Sequence, residues 1–232
     1  MKLIVSKSKI PSIKDTIFNT IMEAISFSNT KDTIYIESGH YNEKIIINKE
    51  LDIIGKGVVI IYNDCDYMDH VITIKEPALL KNLSIRSTNS NVLYLFNCAD
   101  VTIDSCSIIS QKQNSISIYD SSYFTIKNCY IQSSKVSIFY NNLLNSFNHS
   151  GIIDNCNIIS FQEHCIKLIQ NSKISIMNST LKSPLKPIVL NENTYICLED
   201  IIIFNSTPNY ILYRKNSSPR FNLLKAAKVV LK

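Results

Sequence analysis

The sequence predicts an all-β protein, a single-stranded right-handed parallel β-helix closed at its N-terminal end by a short amphipathic helix. Three observations carry that prediction. A six-residue pattern recurs at nearly constant spacing, a second apolar strand accompanies each copy, and the 232-residue chain holds only 4 Gly and 6 Pro, too few for a fold built of tight hairpins.

The pattern reads LKNLSI at Leu80–Ile85, IDSCSI at Ile103–Ile108 and IKNCYI at Ile126–Ile131. It continues as IDNCNI at Ile153–Ile158, IMNSTL at Ile176–Leu181 and LEDIII at Leu198–Ile203. Successive copies end 23, 23, 27, 23 and 22 residues apart. Apolar-polar alternation within each copy requires extended strand, and a second strand recurs upstream in Leu93–Leu95, Ile116–Ile118, Val136–Ile138, Ile166–Leu168 and Ile188–Leu190. Units of this length without a helical period stack as rungs, each burying alternate residues in a shared core. The third position is Asn82, Ser105, Asn128, Asn155, Asn178 or Asp200, and it predicts an inward column of polar side chains bonding from rung to rung. Cys106, Cys129 and Cys156 follow as core filler. The 27-residue step marks an insertion near residues 141–150, where Asn142, Asn145, His149 and Gly151 suggest a loop leaving the coil.

Before the rungs, Asp15 can N-cap a helix over about residues 15–27 that sets Ile17, Ile21, Ala24 and Ile25 on one face, a cover for the open end of the solenoid. After them, residues 214–232 form a basic cap or tail, with Phe221, Leu224 and Val229 among Lys225, Lys228 and Lys232. The formal net charge of +5 belongs to that segment, which holds six basic residues and no acid; residues 1–213 carry 18 basic and 19 acidic residues. A broad basic face for nucleic acid is therefore not expected, and an electrostatic partner should meet the tail.

The opening segments also carry a family resemblance. Asn19–Ile25 (NTIMEAI), Asp32–Glu43 (DTIYIESGHYNE) and Ile46–Gly57 (IINKELDIIGKG) resemble the start of pectin-lyase-like β-helix proteins, in which a capping helix, a DTI-V-PG-Y-E segment and an I-K-L-L-I-G strand precede the rungs. Lys31, Ser38 and His40 depart from the usual Gly, Pro and Thr, while Tyr35, Gly39, Tyr41 and Glu43 keep their places. With the repeats, the resemblance covers nearly the whole chain. It implies the fold, and leaves activity open because lyases, hydrolases, epimerases and non-enzymatic binders share this opening. Signatures of the polygalacturonase, pectate-lyase and uronan-epimerase types are not found, and Arg86 is the one Arg before Tyr213.

Compartment and cofactors are read from composition. The apolar start at Met1–Val5 stops at Ser6–Lys9, no run approaches the ~18 apolar residues of a membrane span, and the 7 Cys show neither CxxC pairs nor metal spacing. A reduced, cytoplasmic protein without metal or cofactor is the expectation.

Two outward columns are candidate sites. The residues preceding the polar column are Lys81, Asp104, Lys127, Asp154, Met177 and Glu199. If register holds, Asp104 and Asp154 stand two rungs, roughly 9 to 10 Å, apart with Lys127 between them. That separation suits a general acid and a general base acting on a sugar, and the same trio equally makes a surface charge ladder. The other column is aromatic: Phe96 and Tyr119 at equivalent positions, Phe139 near the same line, and Tyr94 two residues before Phe96. Stacked exposed rings can bind sugar faces or a protein, or lie under a loop. Asp64, Asp66, Asp69 and His70, and separately Glu163 and His164, read as solvated turns. The expected function is recognition of a polysaccharide or oligosaccharide, or of a protein partner, through Tyr94, Phe96, Tyr119 and Phe139; a polysaccharide-active enzyme using Asp104, Lys127 and Asp154, and a protein-interaction scaffold, are the alternatives.

Overall fold

The structure, a computed structural model, describes residues 1–63, 69–143, 150–191, 194–205, 211–213, 220–222 and 228–231. Each coil runs through three short strands. Ala99–Asp104, Ser107–Ser110 and Ile116–Tyr119 make one coil, and Ser122–Lys127, Tyr130–Ser133 and Ile138–Asn141 make the next. Equivalent strands pair in parallel: Ile103 with Ile126 and then Ile153, Ile108 with Ile131 and Ile158, Ile116 with Ile138 and Ile166. These stacks form a first, second and third face. Among the described residues the third is an eight-stranded sheet and the first and second merge into one of eighteen strands, since the long strands Asp32–Asn42 and Leu51–Tyr62 run across both.

Stacking in register satisfies strand backbone groups from the coils above and below, so no hairpin is needed. It also fills the interior with like side chains. Ile103, Ile126, Ile153 and Ile176 line one inward column and Ile108, Ile131, Ile158 and Leu181 another, all at most 1% exposed. Each such burial contributes about 1.5–3 kcal/mol, which makes the aliphatic columns the main source of stability.

Between the first and second faces the chain turns on a single residue. Asn82, Ser105, Asn128, Asn155, Asn178 and Asp200 all have positive φ, between 49° and 56°. Other L-residues pay about 1–2 kcal/mol there, and Asn and Asp tolerate it best, which explains the composition of this column in a chain with little Gly. The column is not inward. All six residues are exposed, because the left-handed turn throws the third side chain out and the fourth in. Rung-to-rung bonding is nevertheless present: Asn155 Nδ2 donates to Asn128 Oδ1 at 2.9 Å, Asn128 Nδ2 to Asp104 Oδ1 at 2.9 Å, and Asn178 Nδ2 to Asp154 Oδ1 at 2.8 Å. The backbone N–H of Asn128 meets the Asp154 carbonyl at 3.1 Å, and that of Ser105 the Lys127 carbonyl at 3.0 Å.

Cys106, Cys129 and Cys156 are 2% exposed, as core filler should be. Their thiols point at main-chain carbonyls of Asp104, Lys127 and Asp154. The Cys129 sulfur and burial together push the Cys106 and Cys156 thiols up, so both stay protonated.

One boundary differs from the sequence reading. The helix is Ile21–Phe27, capped by Thr20 rather than Asp15. The reciprocal capping box of Thr20 and Glu23 is the stronger start, and Ile17–Phe18 is strand, paired with Ile4 and Val5. Glu43, from the first coil, accepts the helix N–H groups of Ile21 at 3.0 Å and Met22 at 3.1 Å, which fastens the cap. At the other end, Arg220–Asn222 pairs with Tyr195–Cys197 and Lys228–Leu231 with Ile202–Asn205. The described residues 220–222 and 228–231 thus continue the stack in parallel register; Leu224, Lys225 and Lys232 lie outside the described residues.

Of the loop predicted near residues 141–150, Asn142 and Leu143 follow the strand Ile138–Asn141, and Asn145 and His149 lie outside the described residues. Register resumes at Gly151, opposite Phe124. Phe124 is buried edge-on against Tyr140 at 5.2 Å, and a Cβ on Gly151 would stand 2.0 Å from the Phe124 ring. Here glycine makes room for two large rings.

Two outcomes follow from this packing. In urea denaturation, Asn128→Ala should lose about 1–3 kcal/mol of stability and Asn128→Gly less, because glycine takes the positive φ freely and gives up only the ladder bonds. Gly151→Ala should cost about 1–3 kcal/mol by overpacking, and the further change Phe124→Leu should recover part of it.

Candidate functional site

The third face carries the aromatic side chains. Alternation along Asn91–Phe96 turns Leu93 and Leu95 into the core and Tyr94 and Phe96 outward; Tyr119 and Phe139 come from the next two coils. The four sequence-predicted residues form one connected run. Tyr94 stacks near Phe96 at 5.7 Å, meets Tyr119 edge-on at 5.6 Å, and Tyr119 meets Phe139 at 5.5 Å. They do not form a single line. Phe96 and Tyr119 share one column, continued by Asn141, whereas Phe139 registers with Ser117 and Tyr94 in the neighbouring one. Buried Ser117 leaves the gap that Tyr119 fills from the side.

Two members were missed in the sequence. His70 stacks on Tyr94 at 4.3 Å and 15°, although its register partner is Asn91, so the contact is diagonal and strand counting does not find it. Lys167 follows Phe139 in register and places its Nζ 5.7 Å from that ring centre; aligning Ile166–Leu168 with Ile138–Tyr140 would have found it. From Tyr94 to Lys167 the strip spans three rung steps, roughly 14 Å. Burial raises the Tyr94 and Tyr119 hydroxyls above their ordinary pKa. It also pushes His70 down to about 4 against the pull of Asp69, so the strip is neutral at pH 7 apart from Lys167. Phe96 is the most open ring, 42% exposed.

The carboxylate column keeps its predicted register. Asp104 lies beside Lys81 and Lys127, and Lys127 beside Asp154. Asp104 is 7% exposed and heavily engaged: Asn128 Nδ2 and Ser105 Oγ each donate to Oδ1 at 2.9 Å, while Lys81 Nζ lies 3.1 Å and Lys127 Nζ 4.0 Å from Oδ2. Burial alone would raise its carboxyl, but Asn128, Ser105 and Lys81 outweigh it and hold the pKa below the ordinary value. Asp154 is half-buried and accepts from Asn178. The trio is thus aligned, with Asp104 ionised and Asp154 the more accessible carboxylate.

Glu163 and His164 lie in the corner before the strand Ile166–Ile169. His164 Nδ1 donates to the Lys186 carbonyl at 2.6 Å, and Ser183 Oγ donates to the Glu163 carbonyl at 2.5 Å. Asp69 pairs with Lys44, while Asp64 and Asp66 lie outside the described residues. No helix among the described residues is long and apolar enough to cross a membrane.

The Asp104 geometry has a pH signature. A carboxylate whose folded pKa is depressed contributes stability above its unfolded pKa of about 4 and loses it as pH falls through the folded value. Asp104→Asn should therefore lower stability at pH 7, and the difference from the parent should shrink near pH 3, read by urea titration at both.

With the geometry in place, the comparisons are specific about fold. The family model for a right handed beta helix region matches residues 59–148. A search of the curated proteins finds no match. Among solved structures, a pectin methylesterase from Aspergillus niger is 13% identical, with 99% of this chain and 84% of that one aligned at a TM-score of 0.71. One from Erwinia chrysanthemi is 16% identical over 91% and 80% of the two chains, TM-score 0.67, and one from carrot 12% over 95% and 87%, TM-score 0.62. A pectin methylesterase mutant in complex with a hexasaccharide aligns at a TM-score of 0.66, with 16% identity over 91% of this chain and 80% of that one. The chain therefore has the right-handed parallel β-helix fold of the pectin-lyase-like proteins, the fold that its repeats and its opening segments predicted.

Proposed function

We propose that this protein engages a polysaccharide along its third face through Tyr94, Phe96, Tyr119 and Phe139. The observation that carries the reading is the connected run of partly exposed rings, 5.5 to 5.7 Å between neighbours, extended by His70 and Lys167. Rings presented on a rigid, rung-spaced face match a repeating ligand better than a small metabolite, because apolar sugar faces stack on aromatic ones without the ligand entering a cavity. Hexasaccharide complexes of the fold neighbours support the same ligand class.

Those neighbours are enzymes, and this favours a polysaccharide-active enzyme over a binding-only protein. In that reading the strip holds the chain, and Asp104, Lys127 and Asp154 are the groups available for proton transfer. Asp104, ionised and held by Asn128, Ser105 and Lys81, is the positioned anion, and Asp154 is the accessible acid or base. The buried thiols of Cys98, Cys106, Cys129, Cys156 and Cys165 fit a reducing compartment, and we place the protein in the cytoplasm.

Titration of the purified protein with a panel of oligosaccharides tests both readings. Phe96→Ala with Tyr119→Ala should weaken binding of the best ligand at least about tenfold while the circular dichroism spectrum is unchanged, and unchanged affinity rejects the strip. Product analysis with the same panel should show turnover that Asp154→Asn abolishes; turnover retained in that variant removes the carboxylate column.

A further inference from the structure

The second face holds a charged group that neither the strip nor the carboxylate column uses. The chain has 21 Lys and 3 Arg, and Arg86 is the one Arg before residue 214. It projects outward from Ser84–Ser87, in register with Tyr62 on one coil and Ile109 on the next. Its Nε donates to Ser84 Oγ at 3.0 Å, which fixes the guanidinium plane, and among the described residues no carboxylate pairs with it. Beside it lies a hollow of about 260 Å³ lined by Tyr62, Arg86, Ser87, Thr88, Ile109 and Gln111. Lys112 stands next to Gln111 at the corner and donates to Asn89 Oδ1 at 2.8 Å, adding positive potential on that side.

We infer that this hollow is a binding site for an oxyanion, a carboxylate, sulfate or phosphate group, carried on a ligand whose apolar part rests on Tyr62 and Ile109. A guanidinium offers two parallel N–H donors that match two oxygens of such a group, which a lysine ammonium cannot do. Here the fork is already oriented by Ser84, and among the described residues no carboxylate competes for it. Arg86 is exposed, and half-buried Tyr62 and Ile109 give the ligand an apolar wall beside the guanidinium. Because Arg86 lies on the eighteen-stranded sheet and the aromatic strip on the other, the inference stands apart from the polysaccharide reading.

Three arginines make three Nε signals in a nitrogen-15 spectrum of the full chain. Arg86→Lys identifies one of them by its disappearance. Phosphate, sulfate, acetate and glucuronate are each added at constant ionic strength, with chloride as the control. The expected result is a saturable shift of the Arg86 signal alone with at least one probe. Saturation by phosphate or sulfate only assigns a tetrahedral anion, and by acetate or glucuronate only a carboxylate. Calorimetry with the effective probe should give at least about tenfold weaker binding for Arg86→Gln and for Arg86→Lys, the latter because it keeps the charge and loses the fork. The site is overturned by no saturable shift with any probe, by equal movement of all three signals, or by unchanged affinity in both variants.

Discussion

The single-residue left-handed bend between the first and second faces is the constraint on which the rest depends. It must recur at the same place in every coil, because a bend displaced by one residue would turn a whole strand inside out. Asn, Asp and Ser meet its φ requirement, and their N–H groups and side chains then tie each coil to the next. The following position, Cys, Ser, Leu or Ile, falls into the core. Chemistry on this molecule is restricted to columns that the bend leaves outside.

Two such columns acquire different character from their surroundings. Asp104 sits against the bend itself, where Asn128 and Ser105 donate to it, so its charge is both stabilised and partly consumed by structural bonds. Asp154 is held by one such bond and stays more accessible. The aromatic strip lies on the third face, away from the bend, and its rings touch one another, His70 and the Lys167 ammonium. The two columns divide naturally into a holding surface and a chemical one. Arg86, on the second face, belongs to neither.

Coil insertions test how strictly the stack is enforced. The 27-residue step enters after Asn141, beside Tyr119 and Phe96, and the chain still rejoins the first face with Lys127 opposite Asp154. Rejoining requires Gly151, since Phe124 and Tyr140 fill the coil interior at that level. The Leu143 N–H bonds Asp120 Oδ1 at 2.7 Å, so the chain just after Asn141 is tied to the corner next to the strip.

By itself the sequence determined the fold, the rung period and the inside or outside parity of nearly every strand residue. Alternation and a 22 to 23 residue repeat leave a stacked coil no other register, and so Tyr94, Phe96, Tyr119 and Phe139, like Asp104, Lys127 and Asp154, were legible as outward columns. Only the tertiary structure decided that the polar bend column faces solvent, since a left-handed φ reverses a parity that an extended strand would have kept. It also decided that Phe139 aligns with Tyr94, that His70 reaches Tyr94 diagonally, and that Arg220–Asn222 and Lys228–Leu231 continue the stack. Those features depend on contacts between coils 20 or more residues apart and on the exit angle of each corner, and no local pattern of residues encodes either.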